Sequence, residues 1–132
     1  MAVRNKMFFG FVAYLLFASS AYAVDLNGAW ANDVSVCQRI FVKNHNRFSF
    51  AQNADFYGSG FIINGNQLVG KLGKCRVTRR NVQGNKIQLT AECATDIAVS
   101  PDQFTLRVDS NDTITRLFST MGIEMQYHRC PQ

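Results

Sequence analysis

The chain has 132 residues, a formal net charge of +5, 47% hydrophobic residues and four cysteines. This length fits one domain with one core and excludes a multidomain organisation. The positive charge is too modest, and the aromatic residues too little organised as stacking platforms, for a nucleic-acid-binding protein, so we expect no nucleic-acid partner.

The first 23 residues have the pattern of a signal peptide. Arg4 and Lys6 precede an apolar run from Met7 to Ala18, and Ala21-Tyr22-Ala23 places small residues where a signal peptidase cleaves. The apolar run is shorter than the roughly 20 residues that span a bilayer. We therefore predict cleavage after Ala23 and a single domain, residues 24–132, with no membrane span, in the periplasm or secreted.

The mature region is rich in turn signals: Asn44-His45-Asn46, Asn64-Gly65-Asn66, Gln83-Gly84-Asn85 and Ser110-Asn111-Asp112. Short runs of Val, Ile, Phe and Thr lie between them, which is typical of consecutive antiparallel hairpins. A helical turn is expected at 32–37. We predict strands at 38–43, 47–51, 58–63, 67–71, 74–80, 86–93, 103–109, 113–118 and 125–130.

These strands predict an all-β fold. A small antiparallel up-and-down β-barrel of about eight strands is favoured, because closure removes exposed sheet edges. A tight β-sandwich is the alternative.

Residues 73–94 form a predicted hairpin centred on Gly84. Its register places one face inward, with the pairs Cys75–Cys93, Val77–Ala91 and Arg79–Leu89. The outer face then carries the pairs Arg76–Glu92, Thr78–Thr90 and Arg80–Gln88, which are mutually favourable. The hairpin therefore predicts a Cys75–Cys93 disulfide and an inward-pointing Arg79.

Four cysteines in a small exported domain indicate two disulfides, for which three connectivities exist. The second pair is predicted to be Cys37–Cys130 from strand parity. With Ile40 and Val42 pointing inward on the first strand, and Tyr127 inward on the last, both cysteines point outward where these strands meet. The cysteine spacings lack the close pairs of metal and redox sites, so we expect no metal and no cofactor.

A basic segment lies between Phe56 and Ala91, where the chain has no acidic residue. One interpretation is a surface for an anionic partner, such as a phosphorylated glycan, a lipid head group or an acidic protein. The other is a solvated outer face. Arg79 points inward under the predicted register, either at a barrel mouth or as an anion ligand in a pocket. The candidate anion-binding residues are Lys74, Arg76, Arg79 and Arg80.

Of the 11 Phe residues in the chain, seven follow the predicted signal peptide. An eight-stranded barrel is either filled by side chains or holds one small ligand. So many large rings favour a filled interior. If the interior is open, the candidate ligand-lining residues are Phe48, Phe50, Phe61 and Phe104.

Catalytic patterns are sparse. His45 lies in a predicted turn and His128 on the last strand, and neither has an evident base or nucleophile partner. Ser59, within Gly58-Ser59-Gly60, lacks the strand–turn–helix context of a nucleophile elbow. Glycines there indicate a closely approached strand start. We therefore expect no catalytic residues.

The stretch Leu26-Asn27-Gly28-Ala29-Trp30 resembles the G-x-W entry of lipocalin-like barrels and of small bacterial periplasmic barrel inhibitors of proteases. The longer segment LNGAWANDVSVCQRIF is similar to the opening of small exported proteins of Gram-negative bacteria. The resemblance implies a lipocalin-like barrel in which Gly28 and Trp30 plug one end.

The predicted function is that of a non-catalytic exported binding protein. It would act as an inhibitor or adaptor on a protein of the envelope or outside the cell. Its contact loops would be 44–46, 52–57 and 119–124. One alternative is a lipocalin-like carrier of a small apolar or anionic ligand that uses the Phe-lined interior and Arg79. A small envelope enzyme using His128 or His45 is the remaining alternative. We expect a monomer.

Overall fold

The structure is a computed structural model that describes residues 13–14, 24–56 and 58–132. The predicted signal peptide, residues 1–23, lies outside the described residues except for 13–14. The elements are β1 (Gly28–Ala31), α1 (Cys37–Ile40), β2 (Phe41–Asn44), β3 (Arg47–Phe50), β4 (Gly60–Asn64), β5 (Gln67–Val69), β6 (Lys74–Gln83), β7 (Lys86–Ala94), β8 (Val99–Ser110), β9 (Thr113–Phe118) and β10 (Ile123–Arg129), with 3-10 turns at Val34–Val36 and Ala54–Phe56. Within the described ranges, no helix is long and apolar enough to cross a bilayer.

Eight of the described strands close into an antiparallel barrel in the order β1-β10-β9-β8-β7-β6-β5-β4. Strands that follow one another from β4 to β10 are also neighbours in the sheet, which is an up-and-down arrangement. The first strand closes the barrel, because Trp30 lies opposite Arg129 on one side and Phe61 on the other. The predicted barrel is therefore confirmed.

The prediction that residues 38–43 form the first strand of the barrel is wrong. Residues 37–40 form α1, and β2 pairs only with β3 in a separate two-stranded sheet outside the barrel. The outer face of β1 and β4 is apolar there, with Ala29, Ala31 and Ile62 buried. Ile40 and Phe41 pack on this face, so α1 and the β2–β3 hairpin cover a part of the wall that water would otherwise contact.

The predicted register of the β6–β7 hairpin is correct as far as the Val77–Ala91 pair. A β-bulge then shifts the pairing, so that Arg79 lies opposite Thr90 and Arg80 opposite Leu89. One extra residue in a strand reverses the facing of every residue after it. The inward-pointing Arg79 is therefore wrong: its side chain is exposed on the outer side.

Both predicted disulfides are present. Cys75–Cys93 joins opposed residues of β6 and β7, and Cys37–Cys130 joins α1 to the residue after β10. The parity used for the second bridge was wrong in part, because Cys37 lies on a helix and Val42 is exposed. The pairing holds because α1 packs against the outer side of the barrel, where Cys130 is also buried.

The two ends of the barrel are built differently. Two-residue turns at 65–66, 84–85 and 111–112 connect strands at one end, here called the closed end. Longer connections lie at the other end, here called the open end: residues 51–56 with 58–59, 70–73, 95–98 and 119–122. Gly65 and Gly84 have positive φ, the conformation that tight hairpin turns require. The turns predicted in the sequence are thus confirmed.

Candidate functional site

A cup of about 510 Å³ enters the barrel from the open end. Ligand sites in proteins commonly have volumes of about 300–1,000 Å³. The expectation of a filled interior is wrong only near the open end: Leu89, Leu106 and Ile114 are buried in a core inside the barrel, while several Phe rings pack outside it. The apolar wall of the cup is formed by Phe61, Leu68, Leu89, Phe104, Leu106 and Tyr127.

The opposite end of the barrel is sealed by Trp30 and Arg129. Trp30 is fully buried, and its indole N–H donates to the carbonyl of Leu26 at 2.9 Å. The Arg129 guanidinium lies 4.4 Å from the ring centroid of Trp30 and donates to the carbonyls of Asp25 and Asn27, each at 2.6 Å. These contacts tie the N-terminal segment across the closed end and give the cup a floor.

Gly28 and Gly60 permit close approaches around this floor and the adjoining wall. Gly28 has a φ of +135°, and a Cβ there would lie 3.3 Å from a guanidinium nitrogen of Arg129. A Cβ at Gly60 would lie 2.5 Å from the carbonyl oxygen of Trp30 and 2.8 Å from the Phe41 ring. The close approach expected at Gly58-Ser59-Gly60 is therefore explained by the contacts that Gly60 makes with Trp30 and Phe41.

Arg116 is the residue of the cup that sequence analysis missed. It lies on β9 opposite Leu106 and Met125, whose side of the sheet faces inward. Its guanidinium carbon is 4.7 Å from the Phe104 ring centroid and 4.3 Å from that of Phe118. Alternation of Ile114, Arg116 and Phe118 along a predicted strand was the signal that could have revealed it.

The charge of Arg116 is available to a ligand. The guanidinium is half-buried and joins none of the ion pairs formed between described residues. Asp102 also lines the cup, without an ion pair to Arg116. A cation held between two rings, above an apolar wall, can bind an anionic head group whose tail lies deeper.

The wall near Arg116 also includes sulfur and hydroxyl groups. The Tyr127 hydroxyl donates to the Met125 sulfur at 2.9 Å, and the Tyr127 ring meets Phe61 edge-on with centroids 4.8 Å apart. The Cys75–Cys93 disulfide forms part of the wall between β6 and β7. Crosslinked strands and interlocked rings give the cup a preformed shape.

Two of the four predicted ligand-lining residues are in the cup and two are not. Phe61 and Phe104 line it. Phe48 and Phe50 belong to β3 and pack against Phe41 outside the barrel, with ring centroids 6.4 and 5.1 Å from it. Their placement in the interior was wrong because β2 and β3 form a separate sheet. They line a groove of about 700 Å³ between that hairpin and the barrel wall.

The predicted anion-binding residues form a stripe along β6 instead of one site. Lys74 and Arg80 are separated by about 20 Å at the rise of a strand. Arg76 pairs with Glu92 at 3.1 Å. Arg79 and Arg80 lie beyond the bulge, where both are exposed. None of these three arginines lines the cup, so Arg116, and not Arg79, is the candidate ligand for an anion there.

Neither histidine lines the cup. His45 is at the β2–β3 turn, and His128 lies on the outer side of β10. The pKa of Asp33 is lowered chiefly because its carboxylate accepts a hydrogen bond from the Ser35 backbone N–H, and next because of a hydrogen bond with the Ser35 side chain. Within the described ranges, no group of His, Cys, Asp and Glu is arranged to hold a metal.

A polar cluster stabilises the outer wall close to the closed end. The Thr115 hydroxyl donates to Asp109, and Arg107 donates to the same carboxylate at 2.8 Å. These two hydrogen bonds lower the pKa of Asp109 below its ordinary value, and the one from Thr115 has the larger effect. The cluster lies outside the cup and has a structural role.

Comparisons of the chain with protein-family models, curated proteins and solved structures gave no match. Function is therefore inferred from the geometry of the barrel itself.

Proposed function

We propose that the chain is a non-catalytic exported binding protein whose cup holds a small amphiphile with an anionic head group. The observation that carries this proposal is the open apolar cup with Arg116 in its wall. The apolar tail would lie against Phe61 and Phe104, and the head would accept hydrogen bonds from the Arg116 guanidinium. This is the carrier alternative of the sequence analysis, with Arg116 in place of Arg79.

The energetics suit a ligand of medium length. Each buried CH₂ group contributes about 0.8 kcal/mol, and association costs at least about 4 kcal/mol in lost freedom. A tail of about ten carbons, most of it buried, would then by itself bind with about millimolar affinity or weaker. A charge-assisted hydrogen bond adds about 1.5–3 kcal/mol, so a carboxylate should be preferred over the matching alcohol by about 10- to 100-fold.

The proposal of export is supported by the predicted signal peptide and by the two disulfides, which persist in oxidising compartments. The periplasm or the extracellular space is therefore the proposed location. The inhibitor or adaptor hypothesis has weaker support. Its three predicted loops do not share a surface, since 119–122 is at the open end while Asn46 lines the outer groove with Asn27 and Asn64 near the closed end.

The test is calorimetric titration of the oxidised protein, freed of bound lipid, with decanoate and with decanol. We expect decanoate to bind at least about tenfold more tightly than decanol. Arg116→Gln should remove this preference while decanol still binds. Arg79→Gln, which deletes an arginine outside the cup, is the matched control and should behave as the native protein does. If neither compound binds, or if Arg79→Gln removes the preference, the proposal is wrong.

A further inference from the structure

The open end of the barrel carries a ring of exposed apolar side chains. Each of the four connections there contributes one large residue, and the first residue of β8 adds a fifth, all between 72% and 95% exposed. Isolated exposed apolar residues are ordinary on protein surfaces, but a set gathered on one side is not. The ring, here called the rim, consists of Phe56, Leu72, Ile97, Val99 and Met121.

The rim side chains are held outward by ordered backbone. Ile97 projects from a turn in which the Thr95 N–H donates to the Ala98 carbonyl at 2.9 Å. Leu72 lies between Gly70 and Gly73, which are joined by a backbone hydrogen bond of 2.8 Å. A preformed display of this kind lowers the entropy cost of docking.

The closed end presents the opposite chemistry. Its turns are Gly65-Asn66, Gly84-Asn85 and Asn111-Asp112, without a large apolar side chain. Among the described residues after residue 23, the large apolar side chains that are more than 70% exposed are thus all around the mouth of the cup. Its position makes the rim continuous with the wall that the proposed ligand would contact.

The shape of the rim selects the kind of partner. The apolar tips surround an open cup of about 510 Å³. A rigid protein face, or a second copy of this chain, would touch only the ring and leave the hollow unfilled, which forfeits packing. A bilayer interface is fluid and can seat each tip separately at the boundary between head groups and acyl chains.

The charges at the open end decide which bilayer fits. Asp96, Asp102 and Glu124 lie at or beside the rim, together with Lys71, Lys74 and Arg116, so that acidic and basic residues among these described positions are equal in number. This mixture has no cationic excess, so it gives no attraction to anionic lipids of the kind that polybasic segments provide. Docking should depend on apolar insertion and should favour zwitterionic lipid.

We infer that the open end docks on a zwitterionic phospholipid surface through Phe56, Leu72, Ile97 and Met121, so that the mouth of the cup faces the acyl chains. An amphiphile would then pass between bilayer and cup without its tail crossing water. This purpose rests on the proposed function, but docking itself depends only on the rim.

The experiment is flotation of the oxidised protein with phosphatidylcholine vesicles. Native protein should float with the vesicles at low and at high salt alike. The variant carrying Phe56→Ser, Leu72→Ser, Ile97→Ser and Met121→Ser should partition more than about tenfold less. Val82→Ser is the matched control, because Val82 is an exposed apolar residue on the β6–β7 hairpin close to the closed end, and it should float like the native protein.

Failure of docking and failure of ligand binding are distinguishable. Arg116→Gln should still float, because it changes the cup and not the rim. Docking is overturned if native protein stays in solution, if Val82→Ser loses as much as the four-residue variant, or if binding requires anionic lipid. It is also overturned if the rim instead mediates a concentration-dependent dimer, detected by ultracentrifugation and abolished in the four-residue variant.

Discussion

The closed and open ends of this barrel use similar residues for different purposes. At the closed end, the polar atoms of Trp30 and Arg129 are paired with backbone carbonyls, and the aromatic ring is fully buried. At the open end, Phe104 and Arg116 line a space that no side chain fills. In a small domain, therefore, the packed end of a barrel can stabilise the fold while the other end remains free to bind a ligand.

The two arginines make this contrast most clearly. Each lies over an aromatic ring, at 4.4 Å for Arg129 and 4.3 Å for Arg116 at its nearest ring. Arg129 also donates to the carbonyls of Asp25, Asn27 and Asn111. Arg116 lacks an ion pair among the described residues, which leaves its donors for a ligand.

The largest expected effect is at the floor of the barrel. Trp30→Ala should lower the free energy of unfolding by about 3–5 kcal/mol, since it removes a fully buried ring and leaves a cavity. Phe104→Ala should cost about 1–2 kcal/mol, because the half-buried ring already borders an open space. Urea denaturation followed by circular dichroism measures both. Equal losses would mean that the two ends contribute equally to stability.

Exchange of the two arginines for methionine should have a smaller effect. Arg129→Met should lower the free energy of unfolding by about 2–3 kcal/mol, because several backbone carbonyls lose their donor. Arg116→Met should lower it by about 1 kcal/mol or less, the value of a partly exposed cation–π contact. The same urea series compares them. A greater loss for Arg116 would assign it a structural role.

The smallest effect concerns acid stability at the outer wall. Because the folded-state pKa of Asp109 is lowered, its contribution to stability is present above the ordinary carboxyl pKa and is lost as pH falls through the folded value. Asp109→Asn should therefore be less stable than the native protein at pH 7, by about 1 kcal/mol or less. The difference should shrink below about pH 4. A difference that persists at lower pH would point to packing instead of charge.

Local alternation predicted much of this fold. The Cys75–Cys93 bridge and the register as far as Val77 follow from the facing of neighbouring residues. The bulge after Val77 could not be predicted. The basic and Thr residues that follow it suit the outer face whether or not the strand contains an extra residue, so their pattern does not distinguish the two registers. The Phe residues were also ambiguous, since Phe48 and Phe61 look alike in sequence although one covers the barrel and the other lines it.

The open cup was the less favoured of the two expectations for a related reason. Its existence depends on how many large rings remain inside once the β2–β3 hairpin has packed outside, which is a long-range property. Arg116 was overlooked because a single arginine in a strand is usually solvated. Only closure of the barrel reveals that it shares the inner face with Leu106 and Phe104.

The most direct test of the central claim is a crystal structure with a fatty acid carrying bromine at the end of its tail, located by its anomalous signal. We predict the bromine inside the cup near Phe61 and Phe104, with the carboxylate at hydrogen-bond distance from the Arg116 guanidinium. A bromine found only in the outer groove beside Phe48 and Phe50, with an empty cup, would contradict the account.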